Sequence, residues 1–468
     1  MGKGTTTGWR PVPFFEACRH ALESFLTFVR RLSAKLAGAG PEHRRACVAV
    51  AIFIVGGAVC VFMRPRADVA WVAGHEVRGL WVVRTSMATR ESVDKMVDLA
   101  SRNNFNALFV QVNGRGEAYY TSSMVPRMPD VEEGFDPLAF CIERAHAAGL
   151  QVHAWINAFT VGKLGCREYQ PEHVLARHPE WALVDEAGVS TLDYTPGMAQ
   201  GELVSPMLDP AIEGVKAYVH DVFMEVVRNY DVDGVHFDYI RYPSPRFGYG
   251  DVARAAFHCL TGYDPLDLAK GPKALEGKGG EEAGEALYRE LMAKWNAFRR
   301  DQVTEVVRRV YQDVKRVKPG VAVSCAVFPD AADAAEHRLQ DWKAWLSRGI
   351  VDFVVPMAYT SDGDLFARHV REAVEAAPGC GRVLAGVGAY NMLEDPAGCI
   401  EKIAMARRLR AAGVVLFSYD AISDRPEYWK ALAEGPFRDR ASAPALARGG
   451  AGGSRRGEAA WAGEEAGQ

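Results

Sequence analysis

The chain has 468 residues, of which 49% are hydrophobic and 24% are charged, and its formal net charge is -4. This composition is typical of a globular protein, and the lack of a basic excess argues against nucleic-acid binding. The length allows two or three average domains, or one large α/β barrel with additions. The nine cysteines are scattered without the CxxC spacing of metal sites, so they are interpreted as ordinary thiols.

The first part of the chain differs in character from the rest. The run from Ala46 to Met63 contains no charged residue and approaches the ~20 apolar residues that cross a bilayer. Basic residues are concentrated before this run, which predicts a cytoplasmic segment 1–45, a transmembrane signal-anchor helix 46–63 and a linker 64–75. The remainder is then expected on the extracytoplasmic side of the cell membrane. A cleaved signal peptide and a buried core helix are weaker alternatives.

Between residues 76 and 435, apolar strand segments alternate with amphipathic helices. Eight strands are predicted, within 78–84, 107–113, 151–157, 233–243, 321–328, 352–359, 382–390 and 413–420. Helices are predicted over 91–104, 137–148, 210–230, 286–317, 341–348, 364–376, 396–412 and 426–432. This alternation predicts an α/β fold, a (β/α)8 TIM barrel preceded by one N-terminal transmembrane helix. An open doubly wound sheet is the competing topology, but no phosphate-binding glycine loop follows any strand.

Two polar segments stand outside this alternation. Residues 244–285 are predicted to be an insertion after the fourth strand, and its stretch GKGGEEAG at 277–284, rich in Gly, Lys and Glu, is predicted to be a surface loop. Residues 436–468 contain few large apolar side chains and are predicted to be a disordered tail. The predicted barrel domain therefore extends over residues 76–435.

The fourth strand carries the most informative motif, DGVHFDYIRYP at residues 233–243. Because side chains alternate along a strand, His236 and Asp238 share the face expected to point into the barrel, and Tyr239 belongs to the opposite face. A carboxylate at the carboxyl end of a buried strand lies where α/β enzymes carry out their chemistry. The alternative for Asp238 alone is a structural ion pair with Arg241.

Polar and aromatic residues recur at the predicted strand ends. Such a rim suits carbohydrate, because sugar rings stack on aromatic side chains and sugar hydroxyls bind amides, acids and arginines. The candidate substrate-binding residues are Gln111, Asn113, Arg115, His153, Trp155, Asn157, His236, Arg241, Tyr359 and Asp420. For any single tryptophan, burial in the core is the ordinary alternative.

Glycoside hydrolysis requires two carboxyl groups about 5–9 Å apart, one acting as acid and the other as nucleophile or base. Asp238 is the candidate nucleophile or base, and Arg241 is expected to lower the pKa of Asp238 and keep it ionised. The partner is expected among four carboxylates that follow strand ends, the first two being preferred: Glu117, Asp330, Asp362 and Asp420.

Two other chemistries are weaker interpretations. His153, His236 and Asp238 could form an amidohydrolase-like metal site, but strand one reads RGLWVVR and lacks the HxH motif of those enzymes. No Ser or Cys lies on a sharp nucleophile elbow, which argues against acyl transfer. Neither a metal nor a cofactor is therefore expected.

Several short motifs resemble, in the same order, those of the glycosyl-hydrolase-like family 10 proteins. They are EVRGLW at 76–81, FVQVNGRGEAYY at 109–120, FDPL at 135–138, AHAAGLQVHAWIN at 145–157, HPEW at 178–181, LDP at 208–210 and GVHFDYIRYP at 234–243. The resemblance covers about residues 76–435 and rests on the order of many motifs.

The resemblance implies a TIM-barrel glycosidase that acts on bacterial cell-envelope polysaccharide, with peptidoglycan glycan strands as the substrate class. It also implies that Asp238, at the position of the family's aspartate after strand four, is catalytic. Members of the family commonly carry signal peptides or lipoprotein anchors. The uncleaved anchor predicted here differs from that pattern in how the protein is attached to the membrane, and the difference does not concern its chemistry. The alternatives are a non-hydrolytic glycan-binding or scaffold protein of the envelope and, less favoured, a metal-dependent deacetylase-like hydrolase.

Overall fold

The computed structural model describes residues 75–275, 281–377, 381–444 and 446–447. The predicted cytoplasmic segment, the signal-anchor helix 46–63 and the linker up to residue 74 lie outside the described residues. Within the described ranges, no helix is both long enough and apolar enough to cross a lipid bilayer. The membrane anchor therefore stays a prediction from the sequence.

Eight parallel strands form a barrel. They are β1 (Val77–Val82), β2 (Ala107–Asn113), β3 (Gln151–Asn157), β4 (Gly234–Asp238), β5 (Ala322–Val327), β6 (Phe353–Pro356), β7 (Leu384–Gly388) and β8 (Gly413–Phe417). Consecutive strands pair from β1 to β6, and β8 pairs with both β7 and β1. Isolated bridges from Val354 to Val383 and from Met357 to Gly386 join β6 to β7. The predicted (β/α)8 TIM barrel is confirmed.

Helices follow the strands and cover the outside of the barrel. They are α1 (Arg90–Arg102), α2 (Pro137–Ala147), α3 (Val174–Arg177), α4 (Pro196–Ala199), α5 (Glu213–Asn229), α6 (Asp251–Thr261), α7 (Pro265–Ala269), α8 (Glu281–Val317), α9 (Ala331–His337), α10 (Trp342–Arg348), α11 (Gly363–Ala376), α12 (Pro396–Arg408), α13 (Tyr419–Ile422) and α14 (Pro426–Glu434). Short 3-10 turns occupy Arg84–Met87, Pro179–Trp181, Thr191–Asp193, Pro272–Leu275 and Ala389–Met392. Thr89 and Ser92 form a reciprocal capping box at the start of α1.

Layers of side chains fill the barrel interior. His153 stacks on Phe109, with the ring centroids 4.6 Å apart. In the layer above, His236 Nε2 accepts a hydrogen bond from the Trp81 indole at 3.3 Å, and His236 Nδ1 lies 2.8 Å from the hydroxyl of Ser324. Burial lowers the pKa of His153 to about 4 and lowers that of His236 well below its ordinary value. Both histidines are therefore neutral core residues.

Gly234 is required by the packing of His153 in this interior. A Cβ atom at position 234 would lie 2.1 Å from His153 Nδ1, which forces the buried ring or the strand to move. We expect Gly234→Ala to lower the free energy of unfolding by about 1–3 kcal/mol, measured by urea denaturation. Gly320→Ala is the control, because a Cβ atom there meets nothing within 4 Å. Equal stability of the two variants would contradict this account.

Helices occupy much of the described part of the predicted insertion over 244–285. Residues 281–284 of the stretch predicted as a surface loop begin α8, whereas 277–280 lie outside the described residues. The described residues of the insertion form α6, α7 and the first turn of α8, a helix of 37 residues in total. The physical reason is a separate apolar cluster whose members are spaced for helices: Tyr249, Ala253, Phe257, Leu268, Leu291 and Trp295.

Helix α8 braces the segment that follows β4. Its Arg299 is fully buried and donates hydrogen bonds to the carbonyl oxygens of Pro245 and Phe247. Because a buried guanidinium requires partners for its donors, these bonds fix the loop against the helix. The insertion therefore supports the backbone that leads away from Asp238.

The first residues of the predicted tail pack against the barrel. Phe437 is buried, Arg78 donates to the carbonyl oxygen of Asp439, and Asn106 donates to that of Ala441. Leu446 also contacts the interior core. Structure thus continues past the predicted domain end at residue 435, and residues 448–468 lie outside the described part of the chain.

Candidate active site

A cleft of about 410 Å³ opens at the carboxyl ends of the strands, the face on which TIM barrels carry their active sites. Seven of the residues predicted from the sequence line it: Gln111, Arg115, Trp155, Asn157, Asp238, Arg241 and Tyr359. Residues not among those predicted add further aromatic and cationic groups: Trp81, Arg84, Tyr239, Tyr390 and Phe417. The cleft thus combines polar groups with aromatic walls.

Asp238 is the last residue of β4 and the one carboxylate that lines this cleft within the described chain. It is 7% exposed, its Oδ1 accepts the Tyr239 N–H at 2.7 Å, and Arg241 Nη1 lies 3.5 Å from the same oxygen. Burial raises the pKa of Asp238, and Arg241 and the Tyr239 N–H only partly oppose this. The lowering expected from Arg241 is present, but burial is the larger influence.

The backbone bends immediately after Asp238. Strand alternation predicts Tyr239 on the face opposite Asp238, yet its side chain lines the cleft. The reason is that β4 ends at Asp238 and Tyr239 has a φ of 48°, in the left-handed region that non-glycine residues rarely adopt. The Arg241 guanidinium then lies 4.2 Å from the centre of the Tyr239 ring. Such strain is concentrated at functional sites.

Arg84 is a cleft residue that is absent from the predicted set. It opens the 3-10 turn after β1, and its Nη1 donates to Gln111 Oε1 at 2.8 Å. Gly114 makes room for it, because a Cβ atom there would lie 2.8 Å from Arg84 Nη1. Burial, followed by the charge of Arg115, lowers the pKa of Arg84. The sequence signal was its position at the carboxyl end of the first predicted strand.

A network of amides holds the wall formed by β2 and β3. Asn157 Oδ1 accepts hydrogen bonds from the Trp155 indole at 3.1 Å and from Gln111 Nε2 at 3.3 Å. Asn157 Nδ2 donates to the carbonyl oxygen of Gly114 at 2.7 Å. Because the amide of Asn157 is bonded on both sides, the orientations of Gln111 and Trp155 are fixed before a ligand binds.

Aromatic side chains form the opposite wall. Tyr359 stacks on Phe417 with centroids 5.3 Å apart, and Tyr390 meets both rings edge-on at 5.9 Å. Tyr390 is 44% exposed, whereas Trp81 below it is 2% exposed. A ring that is anchored on one edge and open on its face is suited to stacking against a sugar.

Loss of the exposed Tyr390 ring is expected to weaken substrate binding without weakening the fold. We expect Tyr390→Ala to raise KM for a glycan substrate about 3- to 10-fold, the loss of one aromatic contact, with kcat changed less. Tyr390→Phe keeps the ring and is the control that should retain the wild-type KM. A KM unchanged in Tyr390→Ala, at an unchanged melting temperature, would exclude this residue from the substrate site.

Several predicted site residues lie outside the cleft lining. His153 and His236 belong to the core layers beneath it. Asn113 Oδ1 accepts the N–H of Gly116 and shapes the loop after β2. Glu117, in that loop, is half-buried and absent from the cleft wall, and its charge raises the pKa of Arg84.

The other three predicted carboxylates have structural partners, and among them Asp362 caps α11, with Oδ1 accepting the N–H groups of Asp364 and Leu365. Asp330 is exposed and caps α9, with Oδ1 accepting the N–H groups of Ala332 and Asp333 at 2.9 Å. Asp420 accepts the N–H of Val83 at 2.8 Å and the hydroxyl of Ser86 at 2.6 Å. Asp420 thereby ties the start of α13 to the turn after β1, next to the cleft.

The alternative of a metal site concerns His153, His236 and Asp238. No group of three or more His, Cys, Asp or Glu side chains in the described ranges is arranged to hold a metal ion. His153 and His236 instead make the core contacts given above, and Asp238 faces the cleft.

A buried carboxyl at the end of β4, facing a cleft with aromatic walls, is the arrangement of a TIM-barrel glycosidase. The chain matches Glycosyl hydrolase-like 10 over residues 76–394 and belongs to that family. The resemblance inferred from the motifs is therefore confirmed, and the protein is a glycosidase by family.

Relatives agree with this assignment, and a solved structure shares the fold. Glycosyl hydrolase YngK of Bacillus subtilis is 24% identical over 401 residues, covering 75% of this chain and 70% of YngK. Glycosyl hydrolase DigH of Escherichia coli (strain K12) is 26% identical over 309 residues, 59% of each chain. The glycoside hydrolase domain of PgaB (BpsB) from Bordetella bronchiseptica has the same fold, with a TM-score of 0.53 and 14% identity over 76% of this chain and 98% of that domain.

Proposed function

We propose that this protein is a membrane-anchored glycosidase that cleaves a bacterial cell-envelope polysaccharide, with peptidoglycan glycan strands as its substrate. The observation that carries the proposal is Asp238, a buried carboxyl that lines the cleft at the strand ends. Family membership supports glycoside hydrolysis, and the anchor predicted over 46–63 supports a substrate close to the membrane.

The residues around Asp238 support a role in proton transfer to the glycosidic oxygen. The raised pKa of Asp238 keeps part of the carboxyl protonated at higher pH than a free aspartic acid, as a general acid requires. Tyr390 and Tyr359 offer ring faces and edges to the sugar, while Arg84 and Arg115 supply donors for its hydroxyls. These groups would hold the scissile bond within reach of Asp238.

Release of soluble fragments from purified peptidoglycan glycan strands tests the proposal directly. The full-length protein in detergent is expected to generate oligosaccharides and new reducing ends, measured by chromatography and a reducing-sugar assay. Binding of the strands without fragment release would instead support the glycan-binding alternative and overturn the hydrolytic proposal. Release of oligosaccharides from a different envelope polysaccharide, with none from glycan strands, would show that the protein is a glycosidase with a different substrate from the one proposed.

The proposed placement has a separate test. A C-terminal epitope tag on the full chain is expected to be digested by external protease in spheroplasts, because the positive-inside bias directs everything after residue 63 outward. A cytoplasmic protein serves as the control for spheroplast integrity. Protection of the tag would overturn the extracytoplasmic orientation, whatever the outcome of the hydrolysis assay.

A further inference from the structure

We propose that the nucleophile of this glycosidase is the 2-acetamido group of the substrate sugar, with Asp238 as the only carboxyl in the described part of the chain that takes part in bond cleavage. The inference rests on the proposed function and deepens it. It restricts the substrate to glycans that carry an acetamido group next to the cleaved linkage, on the opposite face of the ring from the glycosidic oxygen.

The first observation behind this proposal is the number of carboxylates that line the cleft. Two-carboxylate glycosidases hold their acid and their nucleophile or base about 5–9 Å apart on opposite sides of the bond. Here the described cleft lining contains Asp238 and no second carboxylate. The two preferred partners lie elsewhere, since Asp330 is used as the cap of α9 and Glu117 is outside the wall.

Two hydrogen-bond donors line the cleft beside Asp238. The Tyr359 hydroxyl makes no hydrogen bond within the described chain, and the charge of Asp238 acts on it. Arg241 Nη1 is buried and pairs with Asp238 Oδ1 at 3.5 Å, and it has no other hydrogen-bond partner in the described chain. Donors of this kind suit the carbonyl oxygen of an amide and would orient an acetamido group beneath C1 of the sugar. A protein nucleophile would instead have to be an acceptor.

The reaction balances with one water and no other co-reactant. The acetamido carbonyl oxygen forms a bond to C1 as the glycosidic C1–O bond breaks. The electron pair of the broken bond stays on the leaving oxygen. That oxygen takes the proton of Asp238 and departs as an alcohol. The sugar is now a cyclic oxazolinium ion and Asp238 is a carboxylate. Water then bonds to C1 and gives a proton to Asp238, while the acetamido oxygen leaves C1 with its electron pair.

Two properties of Asp238 agree with this reaction mechanism. It must begin protonated, and burial raises its pKa, whereas a carboxylate nucleophile has to begin ionised. It must also act on one face of the sugar in both steps, and a single carboxyl does so without a partner. Two displacements at C1 give a product that retains the configuration of the substrate.

The test uses the full-length protein and one batch of glycan strands divided three ways. Strands are de-N-acetylated and then re-acetylated, trifluoroacetylated or left as free amines. The re-acetylated strands are expected to be cleaved at the rate of untreated strands. The other two are expected to be cleaved at least about 100-fold more slowly, because fluorine withdraws electrons from the attacking oxygen and the amine lacks that oxygen.

Two variants and the product anomer complete the test. Glu117→Gln and Asp330→Asn are expected to keep kcat within about 3-fold of the wild type, with their melting temperatures measured alongside. Initial products followed by NMR are expected to retain the anomeric configuration. Full-rate cleavage of trifluoroacetylated strands, an inverted product, or a folded Glu117→Gln as inactive as Asp238→Asn would overturn the inference and leave the glycosidase intact. No cleavage of re-acetylated strands would overturn the inference together with the proposed function.

Discussion

Replacement of Asp238 by asparagine is expected to lower kcat for glycan hydrolysis by about 10³-fold, the usual contribution of a general acid. Asparagine has nearly the same shape and can still accept the N–H of Tyr239, so the change removes the transferable proton and little else. The measurement is the rate of fragment release by the purified full-length variant. KM is expected to change far less than kcat, because the lost proton matters only in the transition state.

The melting temperature of Asp238→Asn distinguishes a loss of catalysis from misfolding of the variant. Because burial raises the pKa of Asp238 in the folded state, its contribution to stability is greatest below the unfolded pKa and is lost as pH rises through the folded pKa. Asp238→Asn removes the cost of burying this carboxyl but also leaves the buried Arg241 guanidinium without its charge partner, so the variant is expected to melt close to the wild-type temperature. A melting temperature well below wild type, or retention of most of the activity, would contradict the assigned role.

The barrel was predictable because its signals are local and repeated. Strand segments such as Ala107–Asn113 and Gln151–Asn157 are largely apolar runs between amphipathic helices, and the structure has them at the same bounds. The insertion after β4 was not predictable to the same degree. Its helices exist because residues as distant as Phe257 and Trp295 pack together, and a scan for polar composition overlooks this.

Some residues of the candidate site could be predicted from their positions at the ends of strands, and others could not. Asp238 and Asn157 end their strands and face the cleft, as alternation predicts. Tyr239 departs from alternation because the strand has already ended in a left-handed residue. Asp330 follows β5 as predicted, but an aspartate before an alanine-rich segment is also the signature of a helix cap, and this signal was overlooked. The distance between two carboxyls depends on loop paths that periodicity does not encode.

Removal of the Arg241 charge is expected to produce the second large effect, on stability. Arg241 and Asp238 are both nearly buried, with side-chain exposures of 12% and 10%, and Arg241 is the cation in contact with that carboxyl. We expect Arg241→Met to lower the free energy of unfolding by about 3 kcal/mol at pH 8, since it leaves a buried carboxylate without a partner. Chemical denaturation across a range of pH measures the effect. Arg241→Lys keeps the charge and is the matched control.

The pH dependence distinguishes this electrostatic loss from a simple loss of packing. Arg241 lowers the pKa of Asp238, so its removal raises that pKa further. The carboxyl of Arg241→Met can then become neutral at low pH, and the destabilisation should fade as pH falls through the raised pKa and appear in full above it. The falling limb of kcat at high pH should shift upward for the same reason. A destabilisation of equal size at pH 4 and pH 8 would show that Arg241 acts through its stacking on Tyr239 and Phe328 rather than through its charge.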